Sequence, residues 1–251
     1  MPGSSSAIRT HKTHEHMIAL VTGASRGIGK TIALELADIG YDLAIVGRDT
    51  AALSETSSLA KEKGVKVLNI EADLTKTESF TLIVDKTVEH FGGIDVLVNC
   101  AGIPQKGSFT EVSPEEWDRI FTVNAKAPFF ICKAALEPLK KSPKPIIINI
   151  CSVVGFKGYI HQSAYASSKH ALAGFTKVLA KEVQPFGIRV HLISPGGVAT
   201  EMVKKMRPDI DPDDLIAPEE IGEIVRFIVT KKGKGTIDQF YIRRFGGLAF
   251  D

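Results

Sequence analysis

Tyr165 and Lys169 stand four residues apart in the segment SAYASSKHAL, with only alanine and serine between them. Side chains at i and i+4 share one helical face, so a phenol and an ammonium there approach the same point. Taken alone, the pair reads as a surface tyrosine and a solvated lysine on a helix of small residues. With partners it reads as proton-transfer chemistry. A free tyrosine titrates near 10, and a neighbouring cation favours the phenolate and lowers that value. Ser152 lies 165 − 152 = 13 residues before Tyr165, at the end of the apolar run PIIINICS, where its hydroxyl could hold a reacting oxygen or simply cap a turn. A phenol, an ammonium and a hydroxyl suit delivery of a proton to the alkoxide that forms when a carbonyl accepts a hydride.

That chemistry needs a hydride carrier, and the start of the chain offers a place for one. The run MIALVTG leads straight into TGASRGIGK, with Gly23, Gly27 and Gly29, and then into a helical pattern. Glycines there let the backbone turn sharply and bring amides close to a pyrophosphate at a helix N-terminus. A dinucleotide without a 2′-phosphate calls for an acid about 20 residues beyond the glycines. Gly47 and Arg48 occupy that place, and Arg26 lies inside the glycine turn. A guanidinium pairs with a 2′-phosphate that a carboxylate would repel. Two arginines therefore predict NADP(H) over NAD(H), with Asp49 beside Arg48 the feature against it.

The elements that must position these groups follow from periodicity. Short β-rich apolar runs (MIALVTG, DLAIVGR, VKVLNIEA, IDVLVNCAG, PIIINICS, IRVHLISPG and a weaker FYIRR) alternate with segments of helical spacing such as IALELADIG and VLAKEVQPFG. Near-continuous apolar strands separated by helices predict an α/β fold, a doubly wound, mostly parallel sheet of about seven strands covered on both faces. Ligands in such sheets sit at the carboxyl ends of the strands. No Pro/Gly-rich linker divides the chain, and one domain over 17–251 is expected. Residues 1–16 are polar and Ser/His-rich and are expected to be a disordered tail. His11, His14 and His16 fit a flexible leader better than a metal site, and Met17 is a candidate native start.

Composition excludes several classes. With 31 basic and 29 acidic side chains the formal net charge is +2, too balanced to point to nucleic acid. No apolar run reaches the roughly 18–20 residues of a membrane span. Cys100, Cys132 and Cys151 have neither ligand spacing nor the count of a disulfide framework, so a reducing cytoplasm is expected.

The glycine spacing G-x-x-x-G-x-G resembles the cofactor turn of the short-chain dehydrogenase/reductase family, and the resemblance extends over nearly the whole chain beyond Met17. Asp73-Leu74, Asn99-Cys100-Ala101-Gly102, Asn124 in FTVNAKAPF, Ser152, the Tyr165/Lys169 pair, and Pro195-Gly196 with Thr200 fall in the family's order. The resemblance implies catalysis by Asn124, Ser152, Tyr165 and Lys169, with Asn124 anchoring a water that links Lys169 to solvent. It implies cofactor contacts from Gly23, Ser25, Arg26, Gly27, Ile28 and Gly29, from Arg48, Asp73 and Leu74, and from Asn99, Ala101 and Gly102. Tyr165, Lys169, Pro195, Gly196, Val198 and Thr200 complete that set. A homodimer or homotetramer is implied as well, by packing of the small-residue helix around Tyr165.

Substrate identity is expected to lie in VATEMVKKMRPDIDPDDLIAPEE, a short segment that predicts a small lid and an open site. His161 and Gln162 are candidates for touching substrate or for loop surface. Trp117, Phe129 and Phe130 are expected in the core or at a subunit interface. Arg243 and Arg244 depart from the family's C-terminal pattern and put a tetramer edge in question. Three functions fit the chain: an NADP(H)-dependent carbonyl reductase or alcohol dehydrogenase on a small-molecule substrate; a 3-oxoacyl-thioester reductase of fatty-acid synthesis; and a non-catalytic NADP(H)-sensing protein. Lys157, Lys204 and Lys205 would be docking residues for the second. The complete Ser152, Tyr165 and Lys169 set speaks against the third.

Overall fold

Seven apolar runs become seven strands, and helices separate them in the order expected. The structure is a computed structural model that describes residues 16–206 and 210–247. The elements run β1 (Ile18–Thr22), α1 (Gly27–Asp38), β2 (Asp42–Gly47), α2 (Thr50–Lys61), β3 (Val67–Glu71), α3 (Ser79–Phe91), β4 (Val96–Asn99), α4 (Pro114–Phe121) and α5 (Ala127–Lys140). There follow β5 (Ile146–Ile150), α6 (Ser163–Val183), β6 (Arg189–Pro195), α7 (Glu201–Met206), α8 (Pro218–Thr230) and β7 (Gln239–Ile242). The strand order is β3-β2-β1-β4-β5-β6-β7, and every pairing is parallel.

Alternation along the central strands builds a core on both faces. Ala19 and Val21 of β1 face one apolar cluster with Ile32 and Leu36 of α1 and Val225 of α8. Leu20, between them, faces the other with Ile83 of α3, Ile131 of α5 and Leu179 of α6. A strand buried on both faces has no polar side to show, which is why these runs read as continuous hydrophobics. Local signals fix the helix ends: Ser113 accepts from the Glu116 N–H ahead of Pro114, and Gly92 ends α3 in the left-handed region at φ 88°.

The chain turns from β1 toward β2 on one side and later places β4 on the other side of β1. That reversal opens a crevice at the carboxyl ends of β1 and β4, where α/β sheets take ligands. Of the expected tail, His16 is described and its Nδ1 lies 3.3 Å from Asp42 Oδ1. His11 and His14 lie outside the described residues, as does the domain's expected end near Phe250. Among the described residues no helix is long and apolar enough to cross a membrane.

Candidate active site

The glycine turn is shaped by how closely backbones pass each other. Gly23 has φ 72°, and a Cβ there would fall 2.8 Å from Ala101 Cα. A Cβ at Gly29 would fall 2.2 Å from the Gly23 carbonyl oxygen. Thr22 Oγ1 accepts from the Cys100 and Ala101 N–H groups at 3.0 and 3.2 Å and ties this turn to the end of β4. Ser25 is buried, and its Oγ has no hydrogen-bond partner among the described residues. These features border a cavity of about 420 Å³ that Gly27, Ile28, Leu74, Gly102 and Thr200 also line. Backbone amides at the start of α1, with an orphaned hydroxyl beside them, suit a pyrophosphate.

Arg26, Arg48, Asp49 and Asp73 line the same cavity. Arg26 and Arg48 are exposed. Asp49, the residue that counted against a 2′-phosphate, is engaged elsewhere: its side chain accepts from the Ala52 N–H at 3.1 Å and caps α2. Arg48 Nη1 lies 3.9 Å from Asp73 Oδ1. The Asp73 carboxyl is held below its usual range, first by the Thr75 N–H and then with help from Arg48.

Tyr165, Lys169 and Ser152 converge as the sequence spacing requires. Gln105 Oε1 accepts from the Ala164 N–H at 2.7 Å and fixes the first turn of α6. Lys169, only 4 % exposed, donates to the Ile150 carbonyl at 3.1 Å, and its Nζ lies 5.8 Å from the centre of the Tyr165 ring. Ser152 accepts from the Val154 N–H at 3.2 Å and donates to the Pro195 carbonyl at 3.4 Å, so it caps a turn and still faces the cavity. Cys100 and Cys151 flank Lys169. Burial pushes the Cys100 thiol up to about 12 and raises Cys151 as well, in both cases against the pull of the Lys169 ammonium. Neutral thiols leave that ammonium's charge uncompensated beside the tyrosine.

Asn124 sits in a five-residue π-helical turn, Thr122–Lys126, between α4 and α5. Its Oδ1 accepts from the Ile103 N–H at 2.8 Å, and its Nδ2 donates to the Ile103 carbonyl at 2.9 Å and to Ser168 Oγ at 3.1 Å. The side chain thus braces the loop after β4 against α6. A Cβ at Gly102 would come into ordinary contact with Asn124 Oδ1 at 3.5 Å and Lys169 Nζ at 3.6 Å, so this residue lies between the two.

A second cavity, of about 310 Å³, opens beside Ser152 and Tyr165. Met202 of α7 lines both cavities. Gln162, Lys157, Arg243 and Arg244 line this second one, while His161 is exposed at φ 61°. Lys204 is drawn to Glu201 at 3.6 Å, and the side chain of Lys205 lies outside the described residues.

Asn99 and Val198 are not brought to either cavity wall. Asn99 donates to Asn149 Oδ1 at 2.9 Å and to Cys132 Sγ at 3.3 Å inside the sheet layer. Val198 forms a parallel bridge with Ile216 and packs into the core. Pro195 is buried and contributes through its carbonyl. Gln105 and Thr22 carry positioning roles that sequence reasoning missed. A Gln in a short loop and a Thr at a strand end have no spacing signal of their own. Trp117, Phe129 and Phe130 are 41, 44 and 39 % exposed and so lie outside the core.

A family model of short chain dehydrogenases matches residues 17–211. The chain is 34% identical over 223 residues to the 3-oxoacyl-[acyl-carrier-protein] reductase FabG of Aquifex aeolicus, covering 85% of this chain and 90% of the relative. It superposes with a TM-score of 0.85 on an alcohol dehydrogenase of the archaeon Thermococcus sibiricus, solved as a complex with 5-hydroxy-NADP, at 30% identity over 94% of this chain and 99% of that one. Acetoin dehydrogenase YohF of Salmonella typhimurium gives 0.81 at 31% identity, over 91% and 94% of the two chains. With a buried lysine beneath a tyrosine and a glycine turn opening the first helix, the chain belongs to the short-chain dehydrogenase/reductase family and is an NAD(P)-dependent oxidoreductase.

Proposed function

We propose that the protein interconverts a carbonyl and a secondary alcohol with NADP(H) rather than NAD(H), and that Tyr165 supplies and reclaims the proton. The observation that carries this reading is Lys169: buried to 4 %, fixed on the Ile150 carbonyl and 5.8 Å from the tyrosine ring. A buried ammonium is costly unless used, and here it faces the one phenol of the cavity wall that shares its helix.

When bound, the nicotinamide supplies or accepts a hydride. The glycine turn, Ser25 and Thr200 would hold the pyrophosphate, and Arg26 and Arg48 the 2′-phosphate. Ser152 Oγ orients the substrate oxygen beside Tyr165 Oη. Tyr165 passes its proton to that oxygen as negative charge develops on it, and the Lys169 ammonium stabilises the phenolate left behind. Asn124 keeps the loop after β4 and α6 in fixed relation, so the helix that carries Tyr165 and Lys169 does not drift from the cofactor cavity.

The Arg48 argument gains from Asp49, whose carboxylate is committed to the N-cap of α2. A second reading, reduction of a carrier-bound 3-oxoacyl thioester, is supported by the Aquifex aeolicus relative's name and by Lys157 at the cavity. A homodimer or homotetramer is supported by the exposed Phe129, Phe130 and Val178 on α5 and α6. The free thiols of Cys100, Cys132 and Cys151 support a cytoplasmic setting. The test is an NADPH- and NADH-consumption screen over ketones, aldehydes, sugars and acyl thioesters. Turnover with NADPH on a carbonyl is expected, and an equal or better rate with NADH overturns the NADP assignment.

A further inference from the structure

Among the described residues, the side chains with full charge that line the substrate end of the cleft are basic. Lys157, Arg243 and Arg244 line the cavity beside Ser152 and Tyr165, and among the described residues no aspartate or glutamate lines it. Sheet register puts the arginines there. β7 pairs with β6 so that Ile242 stands opposite Pro195, and the Gly196 N–H donates to the Ile242 carbonyl at 2.7 Å. Residues following β7 must then run beside Gly196 and Gly197. A Cβ at Gly197 would lie 3.5 Å from Arg244 Cδ, an ordinary contact distance that places the arginine beside this turn, and a tighter 3.0 Å from Leu215 Cδ2.

The three cations are not equivalent. Arg243 Nη1 donates to the carbonyls of Arg244, Phe245 and Gly247 at 3.0, 2.9 and 2.8 Å, which folds the chain after β7 and positions Arg244. Lys157 lies over the Tyr241 ring at 5.8 Å. Arg244 is half-buried, and its guanidinium has no hydrogen bond or ion pair with any described residue. Asp214 lies against Gly246 and is not part of the lining.

A second, independent observation points to a polar ligand in the same cavity. Gln162 is 8 % exposed and lines this cavity, and its Oε1 is buried without a partner. Burying part of a guanidinium and all of a carboxamide oxygen without partners costs free energy that a ligand can return. A guanidinium returns most of it to a planar or tetrahedral oxyanion, by paired charge-assisted hydrogen bonds. Val153, Val154 and Val203 make the remaining wall apolar.

Resting on the carbonyl–alcohol reading above, we propose that the substrate is a small carbonyl or alcohol compound bearing an anionic oxygen group, a carboxylate or a phosphate, bound by Arg244. Gln162 Oε1 accepts from a hydroxyl of the same molecule where it carries one, and Ser152 and Tyr165 meet its carbonyl end. Anchoring one end by charge orients the other toward the proton donor.

The experiment measures NADPH oxidation by the full chain with matched pairs: acetoacetate and its methyl ester, levulinate and its methyl ester, dihydroxyacetone phosphate and dihydroxyacetone. The charged member of at least one pair is expected to exceed its neutral partner in kcat/KM by about 10- to 100-fold, mainly through KM. The responding pair separates carboxylate from phosphate. Arg244→Gln is expected to bring the charged member down to its neutral partner, and Arg244→Lys to keep part of the preference. Unchanged melting temperatures in both variants exclude a folding effect. Neutral members equal to or better than their partners in every pair overturn the inference, as does a preference that survives Arg244→Gln. Turnover of neutral ketones alone overturns it while leaving the proposed function standing. No turnover with any carbonyl removes both.

Discussion

The two ends of the cleft are built by different means. At the cofactor end the wall is backbone: Gly23 against Ala101, Gly29 against the Gly23 carbonyl, and Thr22 tying β1 to the loop after β4. At the substrate end it is side chains from four separate stretches: Ser152 after β5, Gln162 and Tyr165 at α6, Met202 on α7 and Arg244 after β7. The backbone wall around the glycine turn tolerates no added atom, and distinctions among dinucleotides are left to side chains such as Arg26 and Arg48. Side-chain walls can be changed one residue at a time, so specificity is expected to reside there.

Tyr165→Phe separates the ends most sharply. Removing one hydroxyl should cost about 10²- to 10⁴-fold in turnover, the usual worth of a positioned general acid, while NADPH binding followed by fluorescence titration stays close to wild type. A variant that turns over at the wild-type rate would remove Tyr165 from the mechanism. One that loses NADPH binding as well would show the two ends to be a single unit.

The complementary break is Gly29→Ala. Its Cβ would lie 2.2 Å from a backbone oxygen, and a backbone atom cannot swing aside as a side chain does. The fold is expected to lose about 1–3 kcal/mol, the range for overpacking, and dinucleotide affinity should fall with it. Denaturant titration and cofactor titration read the two losses. A variant with wild-type stability and affinity would mean that the turn yields, and that its geometry is less exacting than these distances imply.

Legibility in the sequence follows the same division. The glycine turn and the Tyr165/Lys169 pair are local patterns, and residues four or six apart keep their relation in any fold that makes the helix. The central strands were legible because burial on both faces leaves continuous apolar runs, while β7, exposed at alternate residues, left only the weaker run FYIRR. The brace at Asn124 was legible as an identity but not as geometry, because a π-helical turn differs from an α-turn by one residue of spacing and leaves no period in the sequence. Asn99 fell within a recognisable motif, yet its partner is Asn149, 50 residues away and in register only once β4 pairs with β5. Arg244 was the least legible. Its place beside Gly197 depends on the β6–β7 register, and from the sequence Arg244 bore only on whether that edge forms a tetramer contact.

At the adenosine end the comparison can be sharpened with charge. Arg48 lies 3.9 Å from Asp73 and is exposed, so in the ligand-free protein the pair contributes little to stability. Its value should appear only against a 2′-phosphate. Arg48→Glu is expected to reduce the ratio of NADPH to NADH affinity by about 10- to 100-fold with little change in melting temperature. An unchanged ratio would leave Arg48 only its role beside Asp73 and place NADP preference on Arg26 or on neither.

The smallest predicted effect concerns the support beneath the substrate end. His191 of β6 is buried, its Nδ1 lies 2.7 Å from the Ile237 carbonyl just ahead of β7, and its Nε2 has no partner among the described residues. Burial lowers its pKa below the ordinary 6.5; Arg189 adds to the lowering, while the Ile237 carbonyl and Asp238 oppose it. The sign follows from which state binds the proton. Below about 6.5 the unfolded chain takes up a proton that the native imidazole resists, so stability falls with pH until the native value is reached. Above that range this residue contributes no slope. Because the strain falls on the β6–β7 pairing, amide exchange in β7 should quicken on acidification before exchange in β1 does. His191→Gln, which can still donate to Ile237 and does not titrate, should abolish that difference. If β7 keeps the same lag in the variant, the pH sensitivity belongs to another group, and the two ends of the cleft share their support more evenly than the hydrogen bonds suggest.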